Sequence, residues 1–149
     1  MWKNTSTKEN MLTLTKHFTL HFAHALTNYN GPCQHLHGHT YHLAVTVCAS
    51  DISQEASEDY IMDFHNLKQL VEDAVVNKFD HSVVLSTHNP LAKTLGGEAN
   101  AVIMEKEPTT ENLLRHFAQL IACRLPQNVK LRSVKLGESP TSEAELILD

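Results

Sequence analysis

The sequence predicts an α+β fold with a largely antiparallel sheet. Runs with the two-residue period of strands lie near both ends of the chain, and runs with the period of helices lie between them. The size agrees, because 149 residues, 42% of them hydrophobic and 19% charged, suit one domain with its own core. No linker or internal repeat divides the chain. We therefore expect a single domain over residues 1–149, with residues 1–11 forming a flexible N-terminus.

Two strands are predicted in the first third of the chain. Apolar and polar residues alternate over residues 12–24 and again over residues 41–48, with turn-forming residues at 28–32 between them. A polar loop follows at residues 50–59. The first helix is marked by apolar residues at the spacing of one helical face: Leu67, Leu70, Val71, Ala74 and Val75.

A second helix is predicted after Pro108. A threonine there can supply the N-cap, Glu111 places an acid in the first turn, and Arg124 is expected to close the helix. Its buried side should carry four apolar residues: Leu113, Phe117, Leu120 and Ile121.

Four further strands are expected, the first two of them short: residues 80–85, 101–105, 129–137 and 144–148. The segment 89–100 contains Pro90 and two glycines, and it predicts a loop. In the third of these strands Leu131 and Val134 disagree in parity, which indicates a β-bulge between them.

Composition excludes several classes of protein. The net charge is −5 without any basic block, which argues against a nucleic-acid partner. The sequence has no run of eighteen apolar residues, so no membrane span is expected. The N-terminus lacks the apolar run of a signal peptide. Three cysteines without a Cys-x-x-Cys pair argue against disulfides and indicate a cytoplasmic protein. Of these, Cys48 and Cys123 are expected in strand and helix interiors as inert core residues.

Histidine is the outlying residue type, with eleven copies, seven of them between residues 17 and 42. His37 and His39 flank Gly38 ahead of the second strand and point to its apolar face, and His24 ends the first strand on the matching face. Catalytic zinc is typically bound by three protein ligands, such as neutral imidazoles, and its fourth coordination position stays open for water or substrate. Three histidines of opposite parity are expected either in solvent or in contact with the metal ligands rather than with the metal: His17, His21 and His42.

Three further positions are candidates for acid–base chemistry or binding. Cys33, in a turn four residues before His37, could act as a thiolate base or close the zinc site as a fourth ligand. In Asp80-His81 the carboxylate could fix the histidine tautomer, or it could act on another neighbour. Glu138, at the end of a strand, could hold an amidine-like N–H edge or simply cap a turn.

Six segments of the chain together resemble the 6-pyruvoyltetrahydropterin synthase and 6-carboxytetrahydropterin synthase family. They are Phe18-Thr-Leu-His-Phe-Ala-His24, Cys33-Gln-His-Leu-His-Gly-His39-Thr-Tyr41, Met62-Asp-Phe-His-Asn-Leu-Lys68, Phe79-Asp-His81, Pro108-Thr-Thr-Glu-Asn112 and Glu138. The resemblance implies the tunnelling fold, a four-stranded antiparallel sheet with two helices on one face. Three subunits then form a β-barrel, and two trimers form a homo-hexamer with active sites at subunit interfaces.

The resemblance also implies residue roles. His24, His37 and His39 would bind Zn²⁺. Cys33 would be the proton-abstracting base, with Asp80 and His81 completing the catalytic group. The substrate, a pterin triphosphate, would be bound by four residues: Thr109, Thr110, Glu111 and Glu138.

The short spacing between Cys33 and His37 resembles the branch that makes 6-carboxy-5,6,7,8-tetrahydropterin for queuosine and other deazapurines. The reaction implied is zinc-dependent conversion of 7,8-dihydroneopterin triphosphate with release of acetaldehyde and triphosphate. The alternatives are the pyruvoyl branch, which eliminates triphosphate on the route to tetrahydrobiopterin, and a histidine-rich zinc-binding protein without catalysis. A relative that binds a pterin or purine without needing zinc is a third interpretation.

Overall fold

A six-stranded sheet forms the frame of the computed structural model, which describes residues 10–51, 59–98 and 100–149. The strands are β1 Thr13–His24, β2 His37–Ala49, β3 Val83–Ser86, β4 Ala101–Met104, β5 Val129–Ser139 and β6 Ser142–Ile147. Their order across the sheet is β4-β3-β1-β2-β5-β6. Most of the predicted flexible N-terminus, residues 1–9, lies outside the described residues.

The helices are α1 Phe64–Val71, α2 Asn77–Phe79, α3 Leu91–Leu95 and α4 Thr110–Ala122. A π-helical stretch, Glu72–Val76, joins α1 to α2, and a short 3₁₀ turn, Pro32–Gln34, precedes β2. Asp63 caps α1 by accepting a hydrogen bond from the backbone N–H of His65 at 2.7 Å. Thr109 caps α4 in the same way, accepting from the N–H of Asn112 at 3.2 Å, so the predicted threonine cap is confirmed.

The α+β prediction is confirmed, but the four-stranded sheet is incomplete as a description. Strands β1, β2, β5 and β6 pair antiparallel, as expected. Strands β3 and β4 extend the sheet beyond β1, and both pair parallel to their neighbours. A parallel pair needs a crossover connection, and helical segments precede both strands: α1 and α2 lie before β3, and α3 lies before β4.

The predicted loop at 89–100 is also wrong in part, because α3 lies within it. The buried side chain of Asn89 starts this helix by accepting a hydrogen bond from the N–H of Leu91 at 3.0 Å. This bond satisfies one of the backbone N–H groups that have no partner within the first turn of a helix.

The core lies between one face of the sheet and helices α1 and α4. Leu67 and Phe117 from the helices are fully buried in the same cluster as Leu43, Val45 and Leu136 from the strands. A register shift between Thr46 and Val47 marks the predicted β-bulge in β5, which lets Leu131 and Val134 both face the core. The opposite face carries three exposed histidines, as predicted: His17, His21 and His42.

Two expectations about the end of α4 are wrong. The helix ends at Ala122, so Arg124 lies beyond it and does not close it, and Cys123 is exposed rather than buried in the core. They lie in the last turn, where the chain leaves the core for the loop to β5. Among the residues that the structure describes, no helix has the length and apolarity needed to cross a bilayer.

Candidate active site

Three imidazoles meet where the end of β1 pairs with the start of β2. His24 and His37 are direct partners in the antiparallel register, and His39 follows two residues later on the same face. The Nε2 atoms of His24 and His37 are 3.2 Å apart, and those of His37 and His39 are 3.0 Å apart. Over the described parts of the chain, this is the one cluster of three or more metal-ligating side chains. The structure therefore brings together the three histidines that the sequence singles out.

Backbone carbonyls orient two of these rings. The Nδ1–H of His24 donates to the carbonyl oxygen of Pro108 at 2.8 Å, and the Nδ1–H of His37 donates to that of His35 at 2.7 Å. Since a carbonyl can only accept, each neutral ring must carry its lone pair on Nε2. Two lone pairs facing each other at 3.2 Å repel unless a cation lies between them, so the donor set fits a metal ion such as zinc.

Burial favours the neutral form of two of the three imidazoles, those of His24 and His39. Desolvation lowers the pKa of His24 below its ordinary value, and the neighbouring His37 and His39 lower it further, against the Pro108 carbonyl that raises it. Desolvation also lowers the pKa of His39. Neutral imidazole is the form that binds metal, so the lowered pKa values of His24 and His39 favour the metal-binding form of these two rings.

A cavity of about 410 Å³ adjoins the histidine cluster. It is lined by His24 and by most of the other candidate site residues: Cys33, Thr109, Thr110, Glu111 and Glu138. Glu138 lies at an irregularity in the pairing of β5 with β6, and its Oε2 accepts a hydrogen bond from Thr110 Oγ1 at 3.0 Å. This bond fixes the carboxylate without closing the cavity.

Cys33 lies in the 3₁₀ turn, whose position is set by a backbone hydrogen bond from the N–H of Leu26 to the Cys33 carbonyl at 2.9 Å. The thiol is half-buried. Its sulfur does not belong to the group of converging ligand atoms, which consists of the three imidazoles.

Tyr41 is a residue of this site that sequence reasoning missed. Its hydroxyl lies 3.4 Å from both ring nitrogens of His24, and its ring stacks on Phe22 with centroids 3.9 Å apart. Burial raises the pKa of Tyr41, and the nearby Glu138 and Cys33 raise it further. The phenol therefore stays protonated and can only donate or accept a hydrogen bond. The alternation of β2 places Tyr41 on the apolar face and so predicts that it is buried, but it does not predict the contact with His24.

Glu107 is a second residue missed from the sequence. Its Oε2 accepts from the backbone N–H of Thr27 at 2.9 Å, and its Oε1 accepts from Ser86 Oγ at 3.0 Å. These bonds tie the segment after β1 to Glu107, which directly precedes Pro108. The Pro108 carbonyl accepts the hydrogen bond that orients His24. No sequence pattern distinguishes Glu107 from a solvated acid.

The Asp80-His81 pair is not brought into this cavity. Asp80 Oδ2 lies 2.9 Å from His81 Nδ1, and Asp80 Oδ1 accepts from the backbone N–H of His21 at 2.8 Å. His21 points to the exposed face of the sheet, opposite to His24, and the His81 side chain is 79% exposed. Desolvation opposes the effect, but the His21 N–H and His81 hold the pKa of Asp80 below its ordinary value. Within one chain this pair is therefore separate from Cys33.

The fold and the cluster define an α+β protein with a candidate metal centre at the ends of two paired strands. Residues 13–147 match the family model of 6-pyruvoyl tetrahydropterin synthase. The chain belongs to this family, which confirms the resemblance seen in the sequence.

Three relatives illustrate its range. The 6-carboxy-5,6,7,8-tetrahydropterin synthase of Haemophilus influenzae is 29% identical over 147 residues, covering 91% of this chain and 98% of that protein. The dihydroneopterin monophosphate aldolase of Pyrococcus furiosus is 33% identical over 113 residues, covering 76% of this chain and 79% of that protein. The solved 6-pyruvoyl tetrahydropterin synthase of Plasmodium falciparum has a TM-score of 0.66 at 20% identity, covering 91% and 96% of the two chains.

Proposed function

We propose that this chain is a zinc-dependent lyase that converts 7,8-dihydroneopterin triphosphate to 6-carboxy-5,6,7,8-tetrahydropterin, releasing acetaldehyde and triphosphate. The observation that carries the proposal is the meeting of His24, His37 and His39 beside the cavity that holds Cys33 and Glu138. The choice of product is supported by the short spacing from Cys33 to His37 and by the similar protein of Haemophilus influenzae. The product would enter the route to queuosine and other deazapurines in the cytoplasm.

The cavity supplies the means to bind and orient a pterin. The Glu138 carboxylate, held by Thr110 Oγ1, can accept two charge-assisted hydrogen bonds from the N–H edge of the pterin ring. Thr109 and Glu111 line the same cavity and can contact the rest of the ring. Zinc, when bound by the three histidines, would supply Lewis-acid chemistry at the side-chain oxygens of the substrate.

Cys33 is the proposed base. As a thiolate it removes the carbon-bound proton beside those oxygens, after which triphosphate leaves by elimination. One water is then consumed as the side chain is cleaved, which leaves a carboxylate on the ring carbon and releases the other two carbons as acetaldehyde. The Cys33 thiol lines the cavity and does not belong to the ligand cluster, which supports a role toward substrate over a role as a zinc ligand.

The position of Asp80 and His81 supports an active site shared between subunits. The His81 side chain is exposed and neither residue lines the cavity of its own chain, so a catalytic role for the pair requires the cavity of a neighbouring copy. We propose that it moves protons there, in a homo-hexamer built as a dimer of trimers whose sheets form a barrel. A monomeric protein would then bind zinc but lack turnover.

The non-catalytic alternative predicts several metal sites per chain and no use for Cys33 or Glu138. One cluster next to a cavity, within the described residues, favours the enzyme. Metal analysis should find one zinc per chain, and Glu138→Ala should lose pterin affinity while keeping that zinc.

Product analysis by mass after incubation of the zinc-loaded protein with 7,8-dihydroneopterin triphosphate tests the reaction. The expected products are 6-carboxytetrahydropterin and acetaldehyde. A 6-pyruvoyl product would assign the chain to the other branch. Cys33→Ala should keep zinc but lose turnover, whereas Cys123→Ala, at an exposed cysteine away from the cavity, should retain it. Wild-type turnover by the Cys33→Ala protein would contradict the assignment of the base.

A further inference from the structure

A second cavity of about 420 Å³ lies at the edge of the sheet, away from the histidine cluster. It is bounded by β4, by the loop after it, by α4 and by the end of α2, and its floor includes Met104. Four basic side chains line it: Lys78, Lys106, Arg115 and His116. They come from three different parts of the chain, so the fold, and not one helix face, brings them together.

The charge of this cavity is opposite to that of the chain. The whole chain has a net charge of −5, and the candidate active site is lined by Glu111, Glu138 and Glu143. The second cavity, in contrast, has Glu105 as its single acidic lining residue. Over the described ranges, no carboxylate forms an ion pair with any of its three Lys and Arg side chains. Unpaired cations around one concavity produce a positive potential that favours an anion.

Packing holds several of these groups in place. Lys78 Nζ lies 5.8 Å from the centroid of the Phe79 ring, and the His116 ring packs edge-on against the same ring at 5.9 Å. Arg115 Nη1 donates to Asn112 Oδ1 at 3.2 Å, which leaves its other N–H groups available. Burial lowers the pKa of His116 and the charge of Lys78 lowers it further, so the positive charge of this wall comes from the Lys and Arg side chains.

We propose that this second cavity binds a phosphoanhydride, a di- or triphosphate. A guanidinium fork and two ammonium groups offer more donors than a single phosphate uses, and they suit a chain of phosphate groups. Such an anion could be free in solution, or it could be the triphosphate tail of a substrate bound by a neighbouring copy. The binding itself does not depend on the reaction proposed above.

Calorimetric titration of the full-length, zinc-loaded protein with inorganic tripolyphosphate tests the proposal. One anion per chain is expected, with affinity that falls as salt is added. The double variant Lys106→Gln/Arg115→Gln should bind at least about tenfold more weakly, because charge-assisted hydrogen bonds are lost. Arg124→Gln, an exposed arginine just beyond the same helix, is the matched control and should bind as the wild type does.

Two further measurements are needed. One distinguishes binding in the second cavity from binding at the candidate active site, and the other distinguishes a free polyphosphate from the tail of the substrate. His37→Ala removes an imidazole of the metal cluster, so tripolyphosphate binding that survives in it belongs to the second cavity. If the double variant also raises the KM for 7,8-dihydroneopterin triphosphate at unchanged kcat, the anion is the substrate tail; an unchanged KM indicates a free polyphosphate. Melting temperatures like that of the wild type show that the variants fold.

Three outcomes overturn the proposal. They are no binding of tripolyphosphate at millimolar concentration, equal binding by the double variant and the wild type, and binding that disappears in His37→Ala but persists in the double variant. The last would place the anion at the histidine cluster.

Discussion

Replacement of Glu107 should weaken both the fold and the metal site. The carboxylate accepts hydrogen bonds from the Thr27 N–H and from Ser86 Oγ, and Ser86 is fully buried. A hydrogen bond to a charged group contributes about 1.5–3 kcal/mol, and the half-buried position of Glu107 favours the lower figure. Two such bonds give about 3 kcal/mol for Glu107→Ala. Glu107→Gln keeps one accepting oxygen, so about half of that loss is expected.

The effect on metal follows from the position of Glu107. Glu107 directly precedes Pro108, so the hydrogen bonds of its side chain fix the backbone at this point. The Pro108 carbonyl in turn orients the His24 ring. Loss of an orienting contact of this kind typically lowers metal affinity by about 10–100-fold. Urea unfolding of the zinc-free protein measures the stability, and competition with a chelator measures zinc affinity.

Glu105→Gln is the control, because Glu105 is an exposed acid two residues earlier in the same loop. It should change the free energy of unfolding by less than about 0.5 kcal/mol. The reasoning is refuted if Glu107→Ala unfolds with the same free energy as the control, or if it binds zinc as tightly.

Three more predictions concern stability. Phe117→Ala, at a fully buried ring in α4, should cost about 3–5 kcal/mol in urea unfolding. Thr109→Ala removes the N-cap of α4 and should cost about 1 kcal/mol by the same measurement. The zinc-free protein should lose stability as pH falls below 6.5, the ordinary pKa of histidine, because burial lowers the pKa values of His24, His39 and His116 and the unfolded chain therefore binds more protons. Thermal melts at pH 7.5 and 5 check this; equal melting temperatures would contradict it.

The histidine cluster could be predicted from sequence because strand geometry alone decides it. A period of two assigns His24, His37 and His39 to the apolar face, and the antiparallel pairing of neighbouring strands then brings their ends together. The β-bulge followed from the same rule, through the disagreement in parity between Leu131 and Val134.

Other features depend on contacts that parity does not encode. The short strands β3 and β4 carry too few residues to indicate which way they run or which strand they join. Asp80 and His81 follow a helix end, and the φ of 62° at His81 turns the pair toward the exposed face. Glu107 joins segments 80 residues apart in sequence, and such a contact appears only once the chain has folded.

Main-chain oxygens, and no side chains, select the tautomers of His24 and His37. A point substitution at position 35 leaves that acceptor in place, since every amino acid carries the same carbonyl. The tautomers of these two rings therefore depend on the position of the backbone and not on which side chain stands at position 35. Directed evolution of the adjoining cavity could thus vary side chains that, unlike Glu107, do not hold this backbone, while the ligand geometry persists.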